Sequence, residues 1–327
     1  MSGSDQSTTA PTAAMPTPAI ETLTILKPSF AADLARFGPQ SSEAVSLVAA
    51  RAYTRSLARS HYENFPVLTW VMPRAMRQPI ADVYAFSRWA DDLGDEIAGP
   101  EPSLALLDWW QSLVEDAFAG RATHPVFVAL RESIAQCSLE RQPFLDLISA
   151  FRQDQTVTRY QSIDQLRDYC SRSADPVGRL VLAIAGQATP ENVADSDCIC
   201  TALQLANFCQ DVGRDAAIGR CYLPTERLSR HGAGIEETTR EITSPGLAAA
   251  IGEQSAEARQ LLEAAAPLAG RLPLRLGIAI DLFRRGGLAI LDRVDAVGGC
   301  VLERRPKVGK RDAAVALARS VAARVGR

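Results

Sequence analysis

From about Glu43 onward the apolar residues of this chain recur at intervals of three and four. Leu104, Leu107, Trp110, Leu113 and Val114 form one such row, and Phe144, Leu147, Ile148 and Phe151 form another. That spacing is the period of a helix with one buried face, and the strict alternation that marks a strand is absent. The rows are interrupted at Pro66, Pro73, Pro79, Gly99-Pro100, Pro125, Pro143, Pro190, Pro224, Pro245, Pro267 and Pro273, since proline lacks the amide that a helix interior needs. Helices average about 11–12 residues, so the stretches between breaks predict an all-α fold of roughly ten or more helices. No internal repeat of fixed period is present, which argues against a solenoid.

Residues 1–45 are rich in Ser, Thr, Pro and Ala and carry no sustained apolar period. They read as a flexible leader with at most a short helix. Residues 46–310 form the helical domain and 311–327 a C-terminal helix or tail. A chain of 327 residues, 47% hydrophobic, can bury a large core as one big domain or two ordinary ones. Its net charge of −3, with dispersed Lys and Arg, disfavours a nucleic-acid partner. Seven cysteines without CxxC spacing fit a reducing, cytoplasmic setting, and Cys198 and Cys200 read as buried thiols rather than as a soft-metal pair. The longest apolar stretch, Leu180 to Ala185, falls far short of the roughly 20 residues that span a bilayer. No secretory signal is visible. The expectation is a soluble protein, with peripheral contact at the inner face of the membrane left open.

Two polar faces stand out against this background. On one helix, Tyr84, Arg88, Asp91 and Asp95 share an arc of about 60°, while Val83, Phe86, Ala90, Leu93 and Ile97 lie roughly opposite. On another, Gln204, Asn207, Asp211 and Asp215 share about 80°, bordered by Leu205, Phe208, Cys209 and Val212. A single acidic run is ordinarily a solvated surface. Two acidic faces, each backed by an apolar stripe, point instead to a shared site.

Carboxylates and a carboxamide oxygen are hard ligands that suit Mg²⁺, and Mg²⁺ commonly bridges a few protein oxygens to substrate phosphates. Loss of a diphosphate builds negative charge on the leaving group and leaves a carbocation behind. Metal ions stabilise the first, and a dry apolar cavity protects the second. Arg88 could hold phosphate oxygens or form a helix salt bridge with Asp91 or Asp92. Tyr84 could hydrogen-bond phosphate or simply pack.

Read together, Tyr84-Ala-Phe-Ser-Arg-Trp-Ala-Asp-Asp-Leu-Gly-Asp-Glu96 and Asn207-Phe-Cys-Gln-Asp-Val-Gly-Arg-Asp215 resemble the two aspartate-rich motifs of the squalene and phytoene synthase family. The resemblance runs from about His61 to Arg305. It implies a single-domain helical bundle of the isoprenoid (prenyl) synthase type with a central apolar cavity. It assigns Asp91, Asp95, Asn207, Asp211 and Asp215 to two or three Mg²⁺ ions, and gives catalytic roles to Tyr84, Arg88 and Gln210. Substrate contacts are implied for His61, Asn64, Phe65, Tyr84, Arg88 and Arg304, with Arg220 and Tyr222 as weaker candidates.

Within the family, His61-Tyr-Glu-Asn-Phe-Pro-Val67 and Asp168-Tyr-Cys-Ser-Arg-Ser-Ala-Asp-Pro-Val-Gly-Arg-Leu-Val-Leu182 look like the bacterial hydroxysqualene synthases of hopanoid biosynthesis. Gln210 stands where phytoene-type and dehydrosqualene-type relatives usually carry Arg. Gly286-Gly287 lies about where condensing relatives place a tyrosine. The implied reaction converts presqualene diphosphate and water to hydroxysqualene and diphosphate, with Mg²⁺ and without NADPH. The expected partners are presqualene diphosphate, a membrane surface and the enzyme that makes presqualene diphosphate. The competing expectations are a condensing prenyl synthase and a non-catalytic scaffold relative.

Overall fold

A computed structural model describes residue 20 and residues 23–61 and 72–325. The order of helices is α1 (Pro28–Phe37), α2 (Leu47–His61), α3 (Arg77–Asp95), α4 (Pro100–Phe118), α5 (Pro125–Cys137), α6 (Gln142–Gln153), α7 (Ile163–Ser173) and α8 (Asp175–Ile184). There follow α9 (Pro190–Ala217), α10 (Thr225–Arg230), α11 (Pro245–Ala264), α12 (Pro267–Arg271), α13 (Leu274–Ala296) and α14 (Lys310–Val325). Among the described residues, β-pairing is limited to two isolated bridges, Ile25 with Ile97 and Arg159 with Cys221. The expected all-α class is observed.

The prolines that break the apolar rows mostly begin helices. Pro100, Pro125, Pro190, Pro245 and Pro267 are first residues, where the missing amide would have had no partner in any case. Thr189 and Ser244 cap α9 and α11 by accepting from the backbone N–H of Asn192 and Leu247, which satisfies amides left open at a helix start.

Two large apolar clusters divide the interior. The first gathers α1 to α6 around Phe86, Trp89, Trp110, Phe127 and Phe144. Trp89 and Trp110 stack with centroids 5.3 Å apart, and His124 meets both edge-on at 4.6 and 4.9 Å. Burial alone pushes the His124 imidazole down to about 3, so the ring stays neutral and serves as one more aromatic, its Nδ1 accepting from Val126 N–H. Beneath this cluster Asp82 is fully buried and accepts from Thr54, Ser133 and Gln78 at 2.6–2.7 Å, tying α2, α3 and α5 together. The second cluster lies around α9, with Ile199, Ala202, Leu205 and Phe208 packed against Leu262, Leu276 and Leu291.

The segment read as a 1–45 leader is partly built into the first core. Phe30, Leu34 and Phe37 of α1 are buried, Phe30 meets Trp89 edge-on at 5.3 Å, and Lys27 reaches Asp92 at 3.2 Å. Three well-spaced apolar residues anchor this helix despite its Ser- and Pro-rich surroundings. At the other end α14 packs on α13, with Arg293 paired to Asp312, while Arg324 donates to the carbonyls of Gly270 and Leu272 at the end of α12.

Candidate active site

An apolar cavity of about 320 Å³ lies between α3, α8, α9 and α13, lined by Ile80, Val83, Val181, Ile199, Leu203 and Phe283, with Tyr84 at its wall. It is the central apolar cavity that the fold class implies. A second, polar chamber of about 200 Å³ is lined by Asp91, Asp95, Asp154, Tyr169, Gln204 and Arg220. The same two helices serve both. Along α3 the lining runs from Ile80 and Val83 at the cavity to Asp91 and Asp95 at the chamber, about 12 Å from Val83 to Asp91 at 1.5 Å per residue. Along α9 it runs from Ile199 and Leu203 to Gln204; Asn207, Asp211 and Asp215 follow on the same helix but do not line the chamber.

The chamber holds three carboxylates against one guanidinium. Arg220 donates to Asp95 at 3.1 Å and to the Asp154 carbonyl at 3.4 Å. Asp154 also accepts from the Tyr169 hydroxyl at 2.9 Å, yet its other carboxylate oxygen is buried without a partner, as is the Ser173 hydroxyl beside it. Burial first, then Asp95 and Asp92 against the opposing Arg88, pushes the Asp91 carboxyl up to about 6. Burial also raises Asp154 to about 6, with Asp95 and Asp91 adding. Asp215 rises to about 7 through burial and then Asp211, opposed by Arg220 and Arg214. These acids are short of positive charge, and Arg220 is felt by both faces.

Among the described residues, no three His, Cys, Asp or Glu side chains gather closely enough to enclose an ion by themselves. The donor set nonetheless fits Mg²⁺, which keeps several waters and needs only one or two carboxylates from each side. The orphaned oxygen of Asp154 and the raised carboxyls of Asp91, Asp154 and Asp215 are the features a cation would satisfy.

The predicted residues are placed as follows. Asp91 and Asp95 share the chamber with Arg220 and Tyr222. Asn207 is exposed on α9, one turn before Asp211. Arg88 is engaged with Asp91 at 2.8 Å and with both oxygens of Asp92, the salt-bridge arrangement weighed from its spacing. Tyr84 is half-buried and faces the apolar cavity. Asn64, Phe65 and the side chain of His61 lie outside the described residues. Arg304, expected to reach the diphosphate, is exposed, while its neighbour Arg305 turns to α9, with Nε and Nη2 on the two oxygens of Asp211. Gln210 is buried, and its amide donates to the Pro306 carbonyl at 2.6 Å while its oxygen accepts from Arg305 at 3.2 Å. It therefore faces the C-terminal segment rather than the apolar cavity.

Asp154 and Tyr169 were not singled out from the sequence as site residues. Asp154 sits alone after α6 with no acidic neighbour in sequence, so only the fold shows that it meets Asp91 and Asp95. Tyr169 belongs to an aromatic wall in which Phe208 stacks on Tyr222 at 3.9 Å, with Tyr160 close by. All seven cysteines are free, and burial pushes the Cys200 and Cys209 thiols up to about 12.

The squalene/phytoene synthase family matches this chain over residues 58–312. A hydroxysqualene synthase of Rhodopseudomonas palustris is 36% identical over 236 residues, 71% of this chain and 78% of that protein. A phytoene synthase of Arthrospira platensis is 35% identical over 188 residues, 54% of this chain and 61% of its own length. Among solved structures, squalene synthase HpnC from Alicyclobacillus acidocaldarius superposes with a TM-score of 0.74 at 43% identity, covering 77% of this chain and 95% of that one. A dehydrosqualene synthase superposes with a TM-score of 0.78 at 22% identity over 86% of this chain and 98% of its own, a likeness of fold alone.

Proposed function

This chain belongs to the squalene/phytoene synthase family, and from that premise we propose that it is an enzyme converting presqualene diphosphate and water to hydroxysqualene and diphosphate. The observation that carries this reading is the shared path of α3 and α9 from an apolar cavity into an acidic chamber. A substrate with a hydrocarbon body and a diphosphate head matches that polarity end to end.

Asp91 and Asp95 on one side, and Asn207, Asp211 and Asp215 on the other, would hold Mg²⁺. When bound, the metal supplies charge neutralisation for the departing diphosphate. The chain's own residues do the rest. Arg220, already between the two faces, is positioned to take phosphate oxygens as the head group enters. Ile199, Leu203, Val181 and Phe283 exclude water from the carbocation left behind, so that it rearranges before capture. Departing diphosphate is a candidate to accept the proton of the attacking water.

Two features favour hydration over condensation. A Cβ on Gly287 would come within 2.7 Å of the Leu203 side chain and 3.0 Å of Leu262, while one on Gly286 would meet nothing within 4 Å, and neither glycine supplies the hydroxyl that condensing relatives place near this position. Gln210 is engaged by Arg305 and Pro306, where those relatives usually carry Arg. The decisive test is incubation with presqualene diphosphate and Mg²⁺ in the absence of reduced nicotinamide. Hydroxysqualene is the expected product. Turnover of farnesyl diphosphate alone would replace this reading with a condensing one. No helix among the described residues is long and apolar enough to cross a membrane. A C30 substrate supports delivery at a membrane surface, beside the enzyme that forms presqualene diphosphate.

A further inference from the structure

Residues 297–309 join the end of α13 to α14, and within them Leu302, Arg305 and Pro306 meet α9 at Gly213, Asp211 and Gln210. Val301 and Pro306 are buried. The segment is also pinned from the start of α11, where Thr243 donates its backbone N–H and hydroxyl to the Glu303 carboxylate at 2.8 and 2.7 Å and accepts from Leu302 N–H at 3.3 Å. From this fixed base Arg305 reaches α9. Its Nε and Nη2 take one oxygen each of Asp211, and Nη2 also donates to Gln210. Gln210 returns a bond of 2.6 Å to the Pro306 carbonyl. The contact falls where α9 departs from helical geometry, at Asp211 with φ −108° and ψ 15°.

We propose that Arg305 is a resident counter-ion of Asp211 which a divalent cation displaces, and that the displaced guanidinium then binds the phosphate chain of the substrate. The inference rests on the metal-diphosphate reading of the site. A cation on either oxygen of Asp211 sits about 2.0–2.1 Å away, within a few ångström of the guanidinium already there, and the two like charges compete for one carboxylate. Gln210 keeps the segment in register by its bond to Pro306, so the displaced fork stays beside the acidic face instead of swinging into solvent. A guanidinium fork matches phosphate oxygens as well as it matches a carboxylate. Gln210 thus acts as a positioning residue: an Arg there would crowd a second cation against Arg305 and remove the oxygen that accepts from it.

The test is a pair of titrations on the full chain: Mn²⁺ alone, followed by electron paramagnetic resonance of the free ion, and inorganic diphosphate in saturating Mg²⁺, followed by calorimetry. Arg305→Gln should tighten Mn²⁺ binding about 5- to 10-fold and weaken diphosphate binding by a similar factor. The opposite signs are the diagnostic, because a merely structural loss would weaken both. Arg305→Lys, which keeps the charge without the fork, should hold Mn²⁺ affinity near that of the wild type and recover part of the diphosphate affinity. If Arg305→Gln melts early, the same comparison is made with Arg305→Met, which also removes the charge and whose Mn²⁺ affinity should likewise exceed that of the wild type. Mn²⁺ affinity unchanged or weakened in the variants that remove the charge would overturn the exchange while leaving the metal site standing. A wild-type protein that binds no Mn²⁺, or binds it equally after Asp211→Asn, would overturn the metal-diphosphate reading as well.

Discussion

Replacing Asp175 with asparagine should stabilise this protein above neutral pH. Asp175 opens α8 and is only 5% exposed. One of its oxygens accepts from the Thr201 hydroxyl at 2.8 Å, but the nearby guanidinium of Arg179 is spent on Asp197 at 2.7–3.2 Å. Burial, with Asp197 adding and Thr201 and Arg179 opposing, pushes the carboxyl up to about 7 from an ordinary 3.8. The fold therefore favours the protonated form. Its contribution is fully present below about pH 3.8, declines as pH rises, and is lost once pH exceeds about 7. A gap of about 3 pH units at 1.36 kcal/mol each makes the ionised side chain cost roughly 2–4 kcal/mol at pH 8. Asparagine keeps an oxygen for Thr201 and carries no charge. Urea unfolding followed by far-ultraviolet circular dichroism from pH 5 to 8.5 should show the Asp175→Asn advantage growing to about 2–4 kcal/mol at the alkaline end and shrinking toward pH 5. Midpoints that run parallel across this range would refute the reasoning.

Asp91→Ala and Asp211→Ala should each abolish turnover of presqualene diphosphate with little change in helical content, because both side chains lie at the rim of the site rather than in the apolar core; near-normal rates would remove them from the metal site. A Cβ on Gly178 would fall 2.3 Å from Ser196 Oγ and 2.7 Å from Cys200 Sγ, so Gly178→Ala should cost about 1–3 kcal/mol by forcing α8 off α9. Adding Ser196→Ala should recover part of that loss in a thermal melt. Arg227 is 2% exposed and bonded to Gln254 and Glu257; Arg227→Met should lower stability by about 3 kcal/mol in urea, since it strands a partly buried carboxylate. Trp110→Ala, at a fully buried ring, should cost about 3–5 kcal/mol by the same measurement.

Much of the fold was readable because its cause is local. Three-and-four spacing makes a helix wherever it occurs, and the acids of α3 and α9 share faces because each set lies within one helix. Contacts between distant segments left no such trace. Arg305 meets Asp211 across 94 residues of sequence, and nothing in Leu-Glu-Arg-Arg-Pro distinguishes it from the exposed Arg304. Asp154 gains its environment from Arg220 and Tyr169, which no spacing rule connects to it. In the segment before residue 45, composition outweighed a short apolar row, and Phe30, Leu34 and Phe37 were hidden in a stretch that resembles a linker. The direction of Gln210 was likewise unreadable, because its partners belong to the C-terminal segment rather than to its own helix.

Three of the four tryptophans, Trp89, Trp109 and Trp110, sit side by side around His124 in the first core. The core around α9 contains none of these three. Emission from these three is therefore a dye placed by nature on one half of the molecule, blind to much of the wall of the apolar cavity. Circular dichroism sees every helix alike. Recorded together during unfolding, the two signals would act as separate clocks, and any delay between them would reveal which half loosens first.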